Sequence, residues 1–188
     1  MKSLKIIQVL AKIMWILSRI AFIACIVGAS LCFAGIIVFS ATKDVVVYEG
    51  QSFSVLLADR GVPEPSVYSA LITGLIVSGV GIYLGKINEI FFKKEIALGT
   101  PFKKEVVSEM RKLAISNIVA SIGMGILCAI ALSIVAAIYR YDSGFHLEFF
   151  STVGYGISLL ILSLFCDYGA ELEEKKAALE PIEEPTNE

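Results

Sequence analysis

The chain has 188 residues, 56% of them hydrophobic, with a mean hydropathy of +0.78 and a formal net charge of −2. Soluble domains hold roughly 45–50% apolar residues, so this composition excludes a water-facing globule. The length suits one membrane domain with short connections.

Four runs contain no Asp, Glu, Lys, Arg or His: 20–40, 67–85, 113–138 and 149–166. About 20 residues at a rise of roughly 1.5 Å cross a hydrocarbon core of about 30 Å, so each run can be a transmembrane helix. Of the sixteen lysines and arginines, thirteen lie before run one, between runs two and three, or after run four. Lys43, Arg60 and Arg140 occupy the other two connections. The positive-inside rule then puts both termini and the middle connection in the cytoplasm. The expected fold is an all-α integral membrane bundle of four transmembrane helices, N-in and C-in. Its transmembrane domain covers 1–169 and an acidic cytoplasmic tail covers 170–188.

Taken in chain order, residues 1–19 mix cations with Leu4, Ile7, Leu10, Ile13 and Trp15. Two readings stand: an interfacial helix with Trp15 at headgroup depth, or a plain extension of the first span. Run one exceeds the roughly 7–15 residues of a signal-peptide core and is expected to be retained. The outer connection, 41–66, offers strand-forming arms at 45–48 and 51–57 around Glu49-Gly50, a two-residue turn for a small β-hairpin. Such a hairpin is marginal alone and must lean on the helix ends or the lipid surface.

The middle connection continues span two to Leu98, with Gly99 as the stop, Thr100 as the next N-cap and Pro101 as the first helical residue. Phe102, Val106, Met110 and Leu113 then share one face of a helix, with Lys104, Ser108 and Arg111 opposite. Seven cations fall between Lys86 and Lys112. Lys93, Lys94, Lys103 and Lys104 form the candidate cytoplasmic contact surface; the alternative is that they only set topology. The last loop, 139–148, has interface-suited aromatics and the single histidine, His146, expected to be a loop residue without chemistry. After run four, 170–179 reads as a short helix and 181–188 as acidic and disordered.

Cys25, Cys32, Cys128 and Cys166 lie inside the runs without a Cys-x-x-Cys pair, which disfavours thiol exchange and points to packing. No nucleophile with its base, metal-ligand spacing or nucleotide loop is evident. No enzymatic activity, catalytic residue, metal, cofactor or direct nucleic-acid binding is therefore expected. Small residues recur at four-residue spacing in Ala24, Gly28 and Cys32; Gly81 and Gly85; Ser121, Gly125 and Ala129; Gly154 and Ser158. They allow close helix approach within the bundle or in a homo-oligomer. Arg19, Lys86, Asn117 and Asp167 fall near one level at the inner ends of the spans. They can form a polar cluster in which Asp167 pairs with Arg19 or Lys86 and Asn117 bridges, or each can snorkel to headgroups.

Gly99-Thr100-Pro101-Phe102 before an amphipathic helix, and the closing Phe165-Cys166-Asp167-Tyr168-Gly169-Ala170-Glu171-Leu172-Glu173, resemble a bacterial membrane family known as domain of unknown function 2975. This chain departs from it in Lys175-Lys176-Ala177-Ala178 and the acidic end. The resemblance implies four spans in a bacterial cell (inner) membrane and a sensing or regulatory role, since such genes often neighbour small helix-turn-helix regulators. It implies no catalytic residues. The expected role is a regulatory or interaction subunit, partnered by the lipid bilayer and a cytoplasmic or membrane protein; the competing class is a small transporter or immunity-type protein acting through the bundle.

Overall fold

The computed structural model describes residues 2–48, 50–140 and 150–179. They form α1 (Lys2–Thr42), β1 (Val46–Tyr48), β2 (Gln51–Ser52), α2 (Phe53–Asp59), α3 (Glu64–Leu98), α4 (Lys104–Tyr139) and α5 (Phe150–Leu179). His146 and the turn residue Glu49 lie outside the described residues. The fold is helical apart from one two-stranded antiparallel sheet.

Among the described residues, four helices are long and apolar enough to cross a membrane. In hydrocarbon every backbone N–H and C=O must be satisfied within the chain, and a helix does this along its own length. At 41, 35 and 36 residues, α1, α3 and α4 reach about 62, 52 and 54 Å by the standard rise. That exceeds a hydrocarbon core of about 30 Å and carries their charged ends beyond it. Residues 2–19 belong to the continuous α1.

The helix ends follow local chemistry. Glu64 lies in the first turn of α3, where the dipole favours an acid, and Pro65 follows with its φ already set. Gly99 adopts φ +76° and its N–H donates to Glu95 O at 3.0 Å, closing α3 at the expected stop. The start of α4 differs from expectation. Thr100 Oγ1 accepts from Phe102 N, so it organises a turn and not a helix cap, and α4 begins three residues after Pro101. The cause is Phe102, which packs against the core formed by Phe91, Val106 and Met110 before the helix starts.

The 41–66 connection also corrects its expectation. The second arm is extended only at Gln51–Ser52, and Phe53 opens a helix. The alternation needed for a half-buried strand fails at Leu56-Leu57-Ala58, whose consecutive apolar residues suit a helix. Phe53 N donates to Val45 O and Ser54 N to Lys43 O, which draws the segment back toward the end of α1.

The chain packs as two compact units. The first comprises Met1–Arg19, Lys86–Val119 and Phe150–Glu188; the second comprises Ile20–Gly85 and Ala120–Phe149. In the second unit α1 and α3 meet along a seam of small residues. A methyl placed at Gly85 would stand 3.2 Å from Phe22 Cα, at Gly81 2.5 Å from Cys25 Sγ, at Gly28 3.0 Å from Ser78 Oγ and at Gly74 2.7 Å from Cys32 Sγ. Cys25 and Cys32 are thus packing residues filling the space that two glycines leave. All four cysteines are free.

The same unit carries a polar and aromatic cluster at the ends of α1, α3 and α4. Lys43 Nζ donates to Glu64 Oε1 at 2.9 Å, and Tyr139 OH donates to the same oxygen at 3.1 Å. The bond from Glu64, and then its charge, hold the Lys43 ammonium above its ordinary range. Tyr68 stacks on Tyr139 at 5.9 Å, and Phe39 meets both Tyr68 and Phe53 edge-on. Through Phe53 the short α2 segment leans on the end of α1.

In the first unit α4 and α5 also approach at glycine. A methyl at Gly156 would lie 2.6 Å from Ile118 Cγ1 and 3.1 Å from Ala114 O, whereas Gly79 and Gly154 face open space. Gly85→Ala and Gly156→Ala are expected to destabilise the chain by about 1–3 kcal/mol through overpacking. Gly79→Ala and Gly154→Ala should be neutral or stabilising, because alanine is the better helix former. Thermal unfolding in a neutral detergent checks this.

Candidate functional site

The first unit holds most of the residues that the sequence singles out. Its core is the apolar face of early α4: Val106, Val107, Met110 and Leu113 are buried with Phe91 of α3 and Cys166 of α5. Val106 and Leu113 are fully enclosed, while Lys104, Ser108 and Arg111 are exposed on the other side. The expected division of faces is therefore observed. Packing takes up the apolar side and leaves the charged side outward.

That charged side is laced to α5. Lys104 Nζ meets Glu174 Oε2 at 2.7 Å, and Arg111 meets Asp167 Oδ2 at 3.0 Å. The two pairs are seven residues apart on each antiparallel helix, two turns along one line of contact. Across the turn between α3 and α4, Lys94 bonds Glu109 at 3.0 Å, and Lys112 reaches the same oxygen at 3.3 Å. The α3–α4 turn is also tied to α1, because Gln8 Nε2 donates to Gly99 O at 3.1 Å.

The expected cluster of Arg19, Lys86, Asn117 and Asp167 takes a different form. Asp167 pairs with Arg111, not with Arg19 or Lys86. Lys86 bonds Glu89 at 2.9 Å, an i,i+3 pair that one helix can form by itself. Arg19 also acts on Glu89 by its charge, and its guanidinium lies 5.9 Å from the centre of the Trp15 ring. Asn117 is buried and donates to Leu113 O at 2.8 Å within its own helix. Lys86 thus pairs with an acid that the sequence reading left out, and Arg19 and Lys93 act on that acid only by their charge. The physical reason is register: Arg111 faces Asp167 across α4 and α5, and that alignment is set by packing.

The four lysines of the expected contact surface also divide. Lys94 and Lys104 are ion-paired, while Lys93 and Lys103 make no ion pair among the described residues. Lys103 contributes its carbonyl, which accepts from Val106 N and Val107 N at the start of α4. Lys93 borders a groove of about 370 Å³ with Lys12, Trp15, Ile16 and Ile96. A second groove, of about 290 Å³, lies along Ile87, Ile90, Phe91, Glu109, Lys112 and Ser116. Its charged residues already bond one another.

Sequence reasoning missed Glu89, Glu109 and Glu174 as partners. The spacings Lys86/Glu89 and Glu109/Lys112 were visible as i,i+3 pairs; Lys104 with Glu174 needed the register of α4 on α5. In the second unit, Ser69 and Thr73 are buried one turn apart on α3, and neither hydroxyl has a hydrogen-bond partner among the described residues. Among the described residues, no three of His, Cys, Asp and Glu gather as metal ligands would. No family model, no curated protein and no solved structure matches this chain.

Exchanging Arg111→Asp with Asp167→Arg is expected to recover most of the stability that either single change removes, with a coupling of roughly 0.2–1 kcal/mol for so exposed a pair. The matching exchange of Arg19 and Asp167 should show no coupling. A double-mutant cycle on thermal stability in low salt distinguishes them.

Proposed function

We propose that this chain is a non-enzymatic multi-pass membrane protein that works as a regulatory or interaction subunit. Both termini and the α3–α4 turn face the cytoplasm in this reading, on the strength of the thirteen cations assigned to that side. The resemblance to domain of unknown function 2975 points to a bacterial cell membrane and a sensing or regulatory setting. Of the four lysines expected on its contact surface, Lys93, Lys94, Lys103 and Lys104, this reading keeps the last three on the α3–α4 hairpin, because Lys93 borders a separate groove with Lys12 and Trp15.

The observation that carries this reading is the enclosure of the apolar face of α4 by Phe91 and Cys166, with ion pairs bracing the outer face. A surface held in this way meets a partner with little ordering cost. It offers alternating charges and not a bare basic patch, so a partner with mixed charge fits it best.

A second reading, a small transporter or immunity-type protein acting through the bundle, draws on Ser69 and Thr73. Two buried hydroxyls without partners among the described residues are polar sites inside an otherwise apolar helix face.

Replacing Lys94, Lys103 and Lys104 by Gln is expected to lower recovery of a specific cytoplasmic partner in affinity capture from native membranes by about tenfold or more. Membrane insertion should be unchanged. Equal recovery of every captured protein from the variant contradicts the contact-surface reading.

A further inference from the structure

The groove bordered by Lys12 and Lys93 is the feature that partner binding through the hairpin does not use. Its walls are Trp15 and Ile16 of α1 and Ile96 of α3, almost wholly apolar, and among the described residues the two lysines are the charged ones that line it. Both are exposed, and among the described residues neither makes an ion pair. Lys86, Lys94, Lys104, Arg111 and Lys112 of the same unit each have a carboxylate. Two positive charges without an ion pair among the described residues therefore flank one apolar slot, Lys93 acting on Glu89 only at longer range.

The surroundings favour a lipid as the occupant. Ile6, Val9, Leu10, Ile13, Ile16 and Leu17 of α1 are all exposed, and their apolar surface runs on toward the first uncharged run. The slot thus opens onto exposed apolar surface, which an acyl chain can enter and a soluble anion has no reason to. Arg19 lies over the Trp15 ring and holds the indole at the mouth of the span, where tryptophan and cations commonly meet headgroups. Trp15 Nε1 is shielded and has no acceptor among the described residues, a deficit that a headgroup oxygen can remove.

We propose that this groove is a binding site for one anionic phospholipid. An acyl chain lies against Trp15, Ile16 and Ile96, and the phosphate sits between the ammonium groups of Lys12 and Lys93. A volume of about 370 Å³ accommodates part of one chain, in the range of small-molecule sites. The bound lipid would complete the contact between the beginning of α1 and the end of α3. It recognises charge and chain together, so zwitterionic lipid is a poor substitute.

The protein carries its own reporter, because Trp15 is the only tryptophan in the chain. The full-length protein is reconstituted in phosphatidylcholine vesicles containing a small fraction of brominated phosphatidylglycerol or, separately, the same fraction of brominated phosphatidylcholine, and quenching of Trp15 is compared. Brominated phosphatidylglycerol is expected to quench as though enriched about fivefold for each lysine it engages. Lys12→Gln with Lys93→Gln should remove the difference between the lipids, while Lys175→Gln with Lys176→Gln, which keeps the same net charge change, should preserve it. Equal quenching by both lipids in the unaltered protein overturns the proposal. So does an equal loss in the two double variants, which means general attraction to the surface, or reversal of the quenching by inorganic phosphate. Native mass spectrometry of the purified protein supplies a second reading. A retained anionic phospholipid that the Lys12/Lys93 variant loses supports the site. A second copy of the chain or another polypeptide held in its place, and lost with the same two lysines, contradicts it.

Discussion

Close approach of helix backbones at small residues is the interaction on which this structure rests. Between helices in lipid there is little hydrophobic force, since the tails are as apolar as the side chains, and association falls to contact and packing. Gly85, Gly81 and Gly74 of α3 receive Phe22, Cys25 and Cys32 of α1, and Gly28 of α1 receives Ser78. Gly156 lets α5 close on Ala114 and Ile118 of α4. Larger residues at these places would hold the helices apart and forfeit the dispersion contacts that short separations permit.

Charge is distributed by the same constraint. Ionisable groups are costly in hydrocarbon, so they gather at the ends of the uncharged runs, where a second kind of cohesion becomes available. At one end, Lys43, Glu64 and Tyr139 share a single carboxylate oxygen beside stacked aromatics. In the other unit, Lys104 with Glu174 and Arg111 with Asp167 brace α4 against α5 over an apolar core. Exposed pairs such as these add little stability one at a time and weaken with salt. Among the described residues Lys12 and Lys93, beside the apolar groove, take part in none of these pairs.

Much of this architecture was legible in the sequence, because the signals are local. Uncharged runs give the four long helices, Gly99 gives the stop of α3, and the spacing of Val106, Met110 and Leu113 gives the buried face of α4. Cys25 and Cys32, seven apart, were readable as packing residues. The small residues at four-residue spacing marked close approach before their partners were known. What was not legible depends on register between helices: Asp167 meets Arg111 because α5 lies antiparallel to α4 at a particular offset, and no local spacing states that offset. The groove at Trp15 was hidden for the same reason, as it joins residues of α1 to Lys93 and Ile96 of α3. The outer strand was misread because Phe53 has both strand and helix neighbours, and bonding to Val45 and Lys43 decided between them.

The proposed topology puts the segment around α2 and the turn between α3 and α4 on opposite sides of the membrane, with the turn in the cytoplasm. The direct measurement places single cysteines at Arg60→Cys or Thr100→Cys in a chain whose four native cysteines are replaced by alanine, and probes sealed cells with a membrane-impermeant maleimide. The account predicts that Arg60→Cys reacts in intact cells and that Thr100→Cys reacts only after the membrane is opened. Labelling of both positions from the same side, or the reverse pattern, would contradict it.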